Sequence, residues 1–334
     1  MAITINDVAQ LAGVSTGTVS RVINNEPGVK EETRIHVLKI CEEHGYRRNL
    51  RASSLRGKQT GLIGCILSDL DNPLFAEYAL VLEQTAYRLG YQVIVCRGRA
   101  EEESIHKLLY YLEGRRVDGI ILFSSSRAAG ELVRSYKDRV PFILQGCFEG
   151  QERDISSVSV DNVTGGRLAA EYLYGLGHRE VVYLGVRQSN VSHAMRYQSF
   201  MNTAQQLNMS VETIFNEEQA STIGVGYRLG KKLFANSFCA TAVFAACDSV
   251  AIGVLAAAKE FNISVPDELS VLGFDNIKYS SLPYIRLTTI NQPKEGLIEA
   301  TLRLLMKCIN SEQMIAETYH IQPYLVERAS CRKL

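Results

Sequence analysis

Residues 4–24 read TINDVAQLAGVSTGTVSRVIN, and this stretch decides how the first part of the chain folds. Thr4 is a favourable N-cap for a helix with an acidic first turn, and Gly13 ends that helix. Ser15 can cap a second helix that runs to about Asn24. Apolar residues recur at helical spacing in both segments, at Ile5, Val8, Leu11 and Ala12 and then at Val19, Val22 and Ile23.

A third helix is predicted over about residues 31–43. We expect it to bury Ile35, Leu38 and Cys41 and to end at Gly45. Two short helices joined by a glycine-containing turn, with a third helix packed against them, form a helix-turn-helix unit. The first segment is therefore predicted to be an all-α head.

From residue 61 onward the chain alternates apolar runs with helical segments. Seven of these runs have the composition of buried parallel strands, and they are 61–67, 91–96, 119–123, 141–145, 181–186, 242–246 and 269–274. Strands that alternate with helices predict parallel sheets covered on both faces. About 270 residues of this pattern are enough for two lobes, so the predicted fold class is α/β.

The charge of the chain is balanced as a whole but uneven along it. Lys plus Arg and Asp plus Glu both number 36, and a net charge of zero argues at first sight against a nucleic-acid partner. Residues 1–60, however, hold nine basic and six acidic side chains, and residues 47–58 hold five basic side chains and no acidic one. A dimer would present this positive charge twice, where phosphates are met.

Several protein classes are disfavoured by composition. The sequence has no apolar stretch long enough for a membrane span and no signal peptide, so a cytoplasmic protein is expected. Eight scattered cysteines with no C-x-x-C pair predict reduced, mostly buried thiols rather than disulfides or a metal site. Residues 13–17 match G-x-S-x-G, but a helix precedes them where a hydrolase needs a strand. No catalytic set is evident, and neither an enzyme nor a cofactor is predicted.

The segment 4–24 resembles the DNA-binding signature of the LacI/GalR (lactose-repressor) family over its whole length. The resemblance continues through most of the chain, at Gly45-Tyr46, Asn49, Ala52, Leu55, 71–75, 161–162, 177–179, 265–275 and 288–293. Membership of this family implies a DNA-binding head, a hinge helix and a core similar to periplasmic sugar-binding proteins.

The resemblance divides the chain into three parts. The helix-turn-helix head is expected over residues 1–48, the hinge helix and linker over 49–60, and the effector-binding and dimerisation core over 61–334. Within the core, an N-lobe of about 61–160 plus 291–320 and a C-lobe of about 161–290 plus 321–334 are predicted.

The second helix is the expected recognition helix, which places its first side chains in the major groove. These are Thr16 and Gly17, with Arg21 one turn further on. Gly17 has no side chain to read a base, so we expect Thr16 and Arg21 to carry the sequence reading. Further DNA-binding candidates, expected to contact phosphates or to cap helices, are Thr4, Ser15, Thr18, Ser20 and Asn24.

The hinge helix, by resemblance, enters the minor groove together with its copy in the dimer. Leu55 would be the apolar wedge that kinks the duplex. The other hinge candidates are Asn49, Arg51, Ala52 and Arg56. Arg48 and Ser53 stand where the family usually has proline and arginine, and a proline-free hinge resembles the maltose-regulon repressor subgroup.

Effector ligands of such folds bind beyond the carboxyl ends of the parallel strands, between the lobes. This rule and the resemblance together give eight candidates: Ser68, Leu74, Phe75, Asp161, Arg196, Asp248, Asp275 and Gln292. Phe75 offers a flat face for a sugar ring, and Arg196 and Asp275 could hydrogen-bond hydroxyl groups. The alternative for each charged residue is a structural ion pair or a helix cap.

We therefore expect a homodimeric, ligand-responsive repressor of a carbohydrate-utilisation operon that binds pseudo-palindromic operator DNA. Its effector would be a sugar or a sugar phosphate, and a nucleobase or another non-sugar effector is the alternative within the family. A sugar-binding protein or an enzyme without a DNA role is the alternative outside it. A dimer is favoured over a zipper-linked tetramer because no heptad segment follows residues 319–326.

Overall fold

The structure is a computed structural model. It describes residues 3–23, 26–46, 59–68, 70–98, 102–126, 129–147, 154–186, 190–216, 221–235, 239–311 and 316–334. The chain divides into two compact units, Met1–Thr60 and Gly61–Leu334. We call the first unit the head and the second unit the core.

The head contains three helices, α1 (Ile5–Ala12), α2 (Thr16–Ile23) and α3 (Glu31–Glu43). Helix α1 begins with a capping box, in which the Thr4 hydroxyl accepts from the amide of Asp7 and the Asp7 carboxylate accepts from the amide of Thr4. The chain leaves α1 through Gly13, whose φ of 64° lies in the left-handed region that favours glycine. These local features explain why the helix bounds follow from the sequence.

The apolar centre of the head is small, and one expectation about it was wrong. Helix α3 buries Val37 and Ile40, whereas Ile35 is 59% exposed and Leu38 is 48% exposed. Both pairs have the i, i+3 spacing of a helix face, so spacing alone cannot select between the two faces. Contact with α1 and α2 makes that selection. Leu11 shares the helical spacing of the apolar residues of α1 but is half exposed.

The core contains twelve strands within its described residues. They are β1 (Leu62–Leu67), β2 (Gln92–Arg97), β3 (Gly119–Phe123), β4 (Phe142–Gln145), β5 (Ser157–Val160), β6 (Glu180–Val186), β7 (Ser210–Asn216), β8 (Ala242–Ala245), β9 (Ser270–Asp275), β10 (Thr288–Asn291), β11 (Thr318–Ile321) and β12 (Tyr324–Val326).

Eight helices of the core join these strands. They are α4 (Pro73–Arg88), α5 (Glu102–Gly114), α6 (Ala129–Tyr136), α7 (Asn162–Gly175), α8 (Val191–Gln206), α9 (Ile223–Phe234), α10 (Asp248–Glu260) and α11 (Lys294–Asn310). A 3-10 turn, Lys278–Ser281, follows β9. No helix in the described segments is long and apolar enough to cross a membrane.

Two six-stranded sheets define two lobes of the core. The first sheet has the order β11-β5-β4-β3-β1-β2 and is parallel throughout. The second has the order β12-β10-β9-β8-β6-β7, and β12 is its one antiparallel strand. We call the lobe of the first sheet the N-lobe and that of the second sheet the C-lobe. The chain passes between the lobes after β5, after β10 and after β11.

The apolar runs at the centre of each sheet coincide with strands because the centre is covered on both faces. The run 91–96 was also expected to be a buried strand, but it forms the edge strand β2, whose residues are exposed or half-buried. Every residue of β3 and β8 is buried, and burying one large aliphatic side chain contributes about 1.5–3 kcal/mol to stability. The remaining strands are polar or short, such as β5 with the sequence SVSV. Ser157 and Ser159 of β5 are buried, and no apolar run marks them in the sequence. The α/β fold class with a helix-turn-helix head is confirmed.

Candidate nucleic-acid interface and effector cleft

The head presents the predicted recognition residues on the outside of α2. Thr16, Gly17 and Arg21 are exposed, whereas Val19 and Val22 on the opposite face are buried. The exposed residues therefore lie in the first turn of α2 and on the helix face opposite Val19 and Val22. This is the arrangement that a helix needs if it is to place side chains in a groove of DNA.

The other polar candidates of the head take part in capping. The Ser15 hydroxyl accepts from the amide of Thr18 at 3.1 Å, and the Oγ of Ser15 lies 3.0 Å from Oγ1 of Thr18. The hydroxyl of Thr4 caps α1, and Ser20 is half-buried. Ser15 and Thr4 remain exposed, so capping does not prevent them from contacting a phosphate.

Six DNA-binding candidates lie outside the residues that the structure describes. They are Asn24, Asn49, Arg51, Ala52, Leu55 and Arg56. The hinge helix, the substitutions at Arg48 and Ser53 and the resemblance to the maltose-regulon subgroup therefore stay predictions.

In the core, three buried polar side chains form a hydrogen-bonded chain between the lobes. The hydroxyl of Tyr78, on α4 of the N-lobe, donates to Oε1 of Gln292 at 3.0 Å. Nε2 of Gln292 in turn donates to Oδ1 of Asp275, at the end of β9 in the C-lobe, at 2.5 Å. All three side chains are less than 10% exposed. We call this chain the interlobe relay.

The carboxylate of Asp275 is electrostatically unusual. Burial raises its pKa to about 6, although the charge of Arg196, the hydrogen bond from Gln292 and the charge of Lys294 all act to lower it. Its backbone φ is 122°, which a side-chain-bearing residue rarely adopts. Strain and burial at the end of a parallel strand are typical of functional positions.

Arg196, on α8, is held firmly by the C-lobe. Nη2 donates to Oδ1 of Asn162 at 2.9 Å, and Nη1 donates to the carbonyl oxygen of Ala246. The guanidinium carbon lies 3.3 Å from the centroid of the Phe274 ring. The side chain is 2% exposed, and its Nε has no hydrogen-bond partner among the described residues.

The candidates that follow β1 differ in their surroundings. Ser68 is exposed, and Leu74 is 7% exposed within the apolar centre of the N-lobe. Phe75 is half-buried and packs edge-on against Phe123 with ring centroids 6.5 Å apart. Phe75 is therefore the half-buried aromatic residue of this group, whereas Leu74 belongs to the apolar centre of the N-lobe.

Asp161 and Asp248 are placed as structural carboxylates. Asp161 caps α7 and accepts from both the amide and the hydroxyl of Thr164. Burial opposes its ionisation, but these hydrogen bonds and one from Gln322 outweigh burial and lower its pKa. The alternative of a helix cap therefore describes Asp161.

Asp248 begins α10 and is fully buried. Its oxygens accept from the amide of Ile277 and from the hydroxyls of Ser280 and Thr289. Burial, and then the nearby charge of Asp275, raise its pKa to about 7. Because three donors occupy this carboxylate, Asp248 has little capacity left to accept from an effector.

Sequence reasoning missed several residues of the cleft. Tyr78 completes the interlobe relay, and it lies one helical turn after Phe75. Ser125 follows β3 and shares a hydrogen bond with Ser192 of α8, with 2.7 Å between their Oγ atoms. The rule that ligands bind beyond the carboxyl ends of strands could have pointed to both serines. Across the described residues, no group of three or more His, Cys, Asp or Glu side chains could hold a metal ion.

Comparison with known proteins gives two family matches. Residues 4–49 match the family described as bacterial regulatory proteins, lacI family, and residues 154–331 match the periplasmic binding protein-like domain. Together these matches cover the head and most of the C-lobe.

Whole-chain relatives carry the same architecture. The HTH-type transcriptional repressor PurR of Mannheimia succiniciproducens is 33% identical to this chain over 334 residues. The alignment covers 99% of each of the two chains. A crystal structure of the lac repressor dimer bound to operator and the anti-inducer ONPF has a TM-score of 0.87 and 26% identity, over 99% of this chain and 100% of that one. The complex of the transcriptional regulator CelR with cellobiose has a TM-score of 0.73 and 26% identity, over 98% and 99%.

Proposed function

Because the chain belongs to the lacI family of bacterial regulatory proteins, we propose that it represses a carbohydrate-utilisation operon as a homodimer. It is a ligand-responsive transcriptional regulator. We further propose its effector class, its target and the residues that bind the effector and the DNA. We place it in the cytoplasm, where the chromosome lies, and assign it no enzymatic activity because its relatives are transcriptional regulators.

The head supports binding to a pseudo-palindromic operator. A dimer related by a two-fold axis presents two recognition helices, and operator symmetry mirrors that axis. Thr16 and Arg21 are proposed to read bases, because both are exposed on the outer face of α2. Thr4, Ser15, Thr18 and Ser20 are proposed to contact phosphates in addition to their capping roles.

The interlobe relay is the observation that carries the proposed response to a ligand. Asp275 combines a strand-end position, a buried carboxylate and a hydrogen bond to Gln292, which leads to Tyr78 in the other lobe. A ligand hydroxyl that donates to Asp275 would compete with Gln292 and so change a contact between the lobes. Occupancy of the cleft would then bias the arrangement of the lobes, and such a coupling acts equally in both directions.

A sugar fits this cleft better than a flat hydrophobic ligand. Asp275 accepts hydrogen bonds, Arg196 donates them, and Phe75 supplies one aromatic face. Hydroxyl groups both donate and accept, so one sugar ring can pair with both charged residues. The likeness to the complex of CelR with cellobiose supports the same class. The proposed effector residues are Ser68, Phe75, Arg196, Asp275 and Gln292.

Two measurements test the proposal. Gel shifts should show salt-sensitive binding to a palindrome near the chain's own gene, in preference to random duplex of equal length. Equal affinity for both duplexes would refute the operator claim.

A thermal-shift screen should contain sugars, sugar phosphates and nucleobases. We expect a sugar to stabilise the wild-type protein, and the stabilisation should disappear in both Arg196→Ala and Asp275→Ala. Lys39→Ala, on the exposed side of α3, is the control and should leave the stabilisation unchanged. A nucleobase that stabilises the protein while no sugar does so would favour the alternative effector class.

A further inference from the structure

One face of α8 carries two buried polar atoms that remain without a hydrogen-bond partner. They are Nδ1 of His193 and Nε of Arg196, and neither is paired with any group that the structure describes. The two residues are three positions apart, so their side chains leave the helix on the same face. An unpaired buried donor or acceptor is costly in a folded protein. These two atoms therefore mark a place where polar groups of a ligand would be accommodated.

The position of His193 ties it to the cleft. Its amide donates to Oδ1 of Asn190, the N-cap of α8, at 3.1 Å. The two residues between them contact the N-lobe: the amide of Val191 donates to the carbonyl oxygen of Ser125 at 2.8 Å, and Ser192 pairs with the Ser125 hydroxyl. Along α8, His193 thus lies between the contact with the N-lobe and Arg196.

The protonation state of His193 determines what it can bind. Burial, and then the positive charge of Arg196, lower its pKa to about 3. The imidazole is therefore neutral near pH 7, with one N–H group and one lone pair. Nε of Arg196 only donates, whereas Nδ1 of His193 donates or accepts according to its tautomer. A hydroxyl group pairs with either tautomer, because it both donates and accepts.

The charges around His193 provide little attraction for an anionic group. A neutral imidazole adds no positive charge to that of Arg196, and the carboxylate of Asp275 acts on the same guanidinium. A phosphate beside His193 would gain little attraction from the neutral imidazole, and the carboxylate of Asp275 offsets part of the charge of Arg196. Neutral hydroxyl groups do not need such attraction, because they bind through hydrogen bonds alone.

We propose that His193 is a specificity-determining residue of the effector cleft, and that with Arg196 it recognises two adjacent hydroxyl groups of an unphosphorylated sugar. The inference rests on the proposed function, since it names which part of a sugar effector the chain reads. It also narrows the proposed effector class to unphosphorylated sugars.

The test uses the full chain and isothermal titration with a stated set of compounds. The set contains glucose, galactose, ribose, maltose and cellobiose, the monodeoxy analogues of any sugar that binds, glucose 6-phosphate and hypoxanthine. The variants are His193→Ala and His193→Asn, whose amide places a neutral donor and acceptor near the position of Nδ1. His106→Ala, an exposed histidine of the N-lobe, is the matched control.

We expect His193→Ala to bind the sugar about tenfold or more weakly, which is the loss typical of one buried hydrogen bond. His193→Asn should restore binding to within about threefold of wild type, and His106→Ala should bind as wild type does. One monodeoxy analogue, which lacks the hydroxyl that His193 contacts, should bind equally to wild type and to His193→Ala. A purely structural role would weaken every analogue alike.

Three outcomes would overturn the inference. The first is equal affinity of wild type and His193→Ala for the sugar. The second is an equal loss of affinity for all analogues in His193→Ala, together with a lower melting temperature. The third is binding of glucose 6-phosphate in place of the sugars. Wild-type protein that binds operator but no sugar of the set would refute the sugar effector itself. That failure is visible in the wild type alone and so is distinct from a failure at His193.

Discussion

Ser125 of the N-lobe and Ser192 of the C-lobe share a hydrogen bond across the cleft, with their Oγ atoms 2.7 Å apart. The neighbouring residues Ser126 and Asn190 form a β-bridge, and the amide of Val191 donates to Ser125. The first turn of α8 is therefore attached to the end of β3. Because α8 also carries Arg196, a change in the separation of the lobes would shift Arg196 at the candidate effector site.

Replacing both serines with cysteine should lock the lobes together. An Oγ separation of 2.7 Å is close to the length of a disulfide bond, about 2.05 Å. We expect Ser125→Cys/Ser192→Cys to lose two free thiols on mild oxidation, beyond any lost by either single variant. The locked protein should no longer change its DNA affinity when effector is added, and reduction with dithiothreitol should restore the response. Failure to form the cross-link would contradict the contact between the two serines. A response to effector that survives cross-linking would contradict a link between lobe closure and DNA binding.

Tyr78→Phe should weaken the attachment between the lobes. The substitution leaves Oε1 of Gln292 buried without its donor, and an unsatisfied buried group costs about 1–3 kcal/mol. Urea denaturation should show a loss of this size in the free energy of unfolding. Tyr172→Phe is the matched control, since its hydroxyl donates to the exposed Glu327 at 3.4 Å; a loss there within about 0.5 kcal/mol is expected. Equal losses in the two variants would show that the interlobe relay contributes no more to stability than an exposed hydrogen bond.

Asp275→Asn should change how stability depends on pH. The folded-state pKa of Asp275 is about 6, above the ordinary value of 3.8, so the folded protein binds the proton more tightly than the unfolded chain does. The stabilising contribution of this group is then present below about pH 4 and is lost as the pH rises through about 6. Wild-type stability should fall over this window, and Asp275→Asn should reduce that fall.

Asp161→Asn provides a control of opposite sign. The pKa of Asp161 is lowered in the folded protein, so its contribution is present above the unfolded-state pKa and is lost as the pH falls. Melting temperatures measured from pH 8 down to well below the ordinary carboxyl pKa of 3.8 should therefore show a shallower acid-side loss in Asp161→Asn. The assignments would be wrong if the two variants altered the pH profile in the same direction.

Thr16→Ala and Arg21→Ala should weaken operator binding without unfolding the head. Both side chains are exposed on α2, and removing a base contact costs about 1–3 kcal/mol of binding free energy. Fluorescence anisotropy should show a loss of about tenfold or more in operator affinity, with the melting temperature unchanged. His36→Ala, exposed on α3, should bind as wild type does. A loss confined to random DNA would contradict base reading.

Val37→Ala and Leu38→Ala test which face of α3 is buried. Val37 is fully buried and Leu38 is 48% exposed. Truncating the buried valine should lower the free energy of unfolding of the head by about 1–2 kcal/mol, and truncating the exposed leucine should change it by less than about 0.5 kcal/mol. Circular dichroism of the two variants during thermal unfolding measures both effects. A larger loss in Leu38→Ala than in Val37→Ala would support the expectation from the sequence that Leu38 is buried.

Elements whose causes are local follow directly from the order of the residues. The capping box at Thr4 and Asp7, the cap at Ser15 and the left-handed Gly13 act within a few residues, so the head helices follow from the order of side chains. The apolar strands follow from composition, because a strand covered on both faces needs an apolar run. These features, together with the motif in residues 4–24, were enough for the fold class and the family.

The contacts between distant residues depend on the path of the whole chain. Tyr78 and Gln292 are 214 positions apart, and Ser125 and Ser192 are 67 positions apart. Both contacts arise because the chain passes between the lobes more than once, and no local pattern records that path. The buried face of α3 was decided in the same way, because two faces with equal spacing differ only in what packs against them. The environment of Asp248 was decided in the same way, because its donors Ile277, Ser280 and Thr289 are brought to it by the fold of the C-lobe.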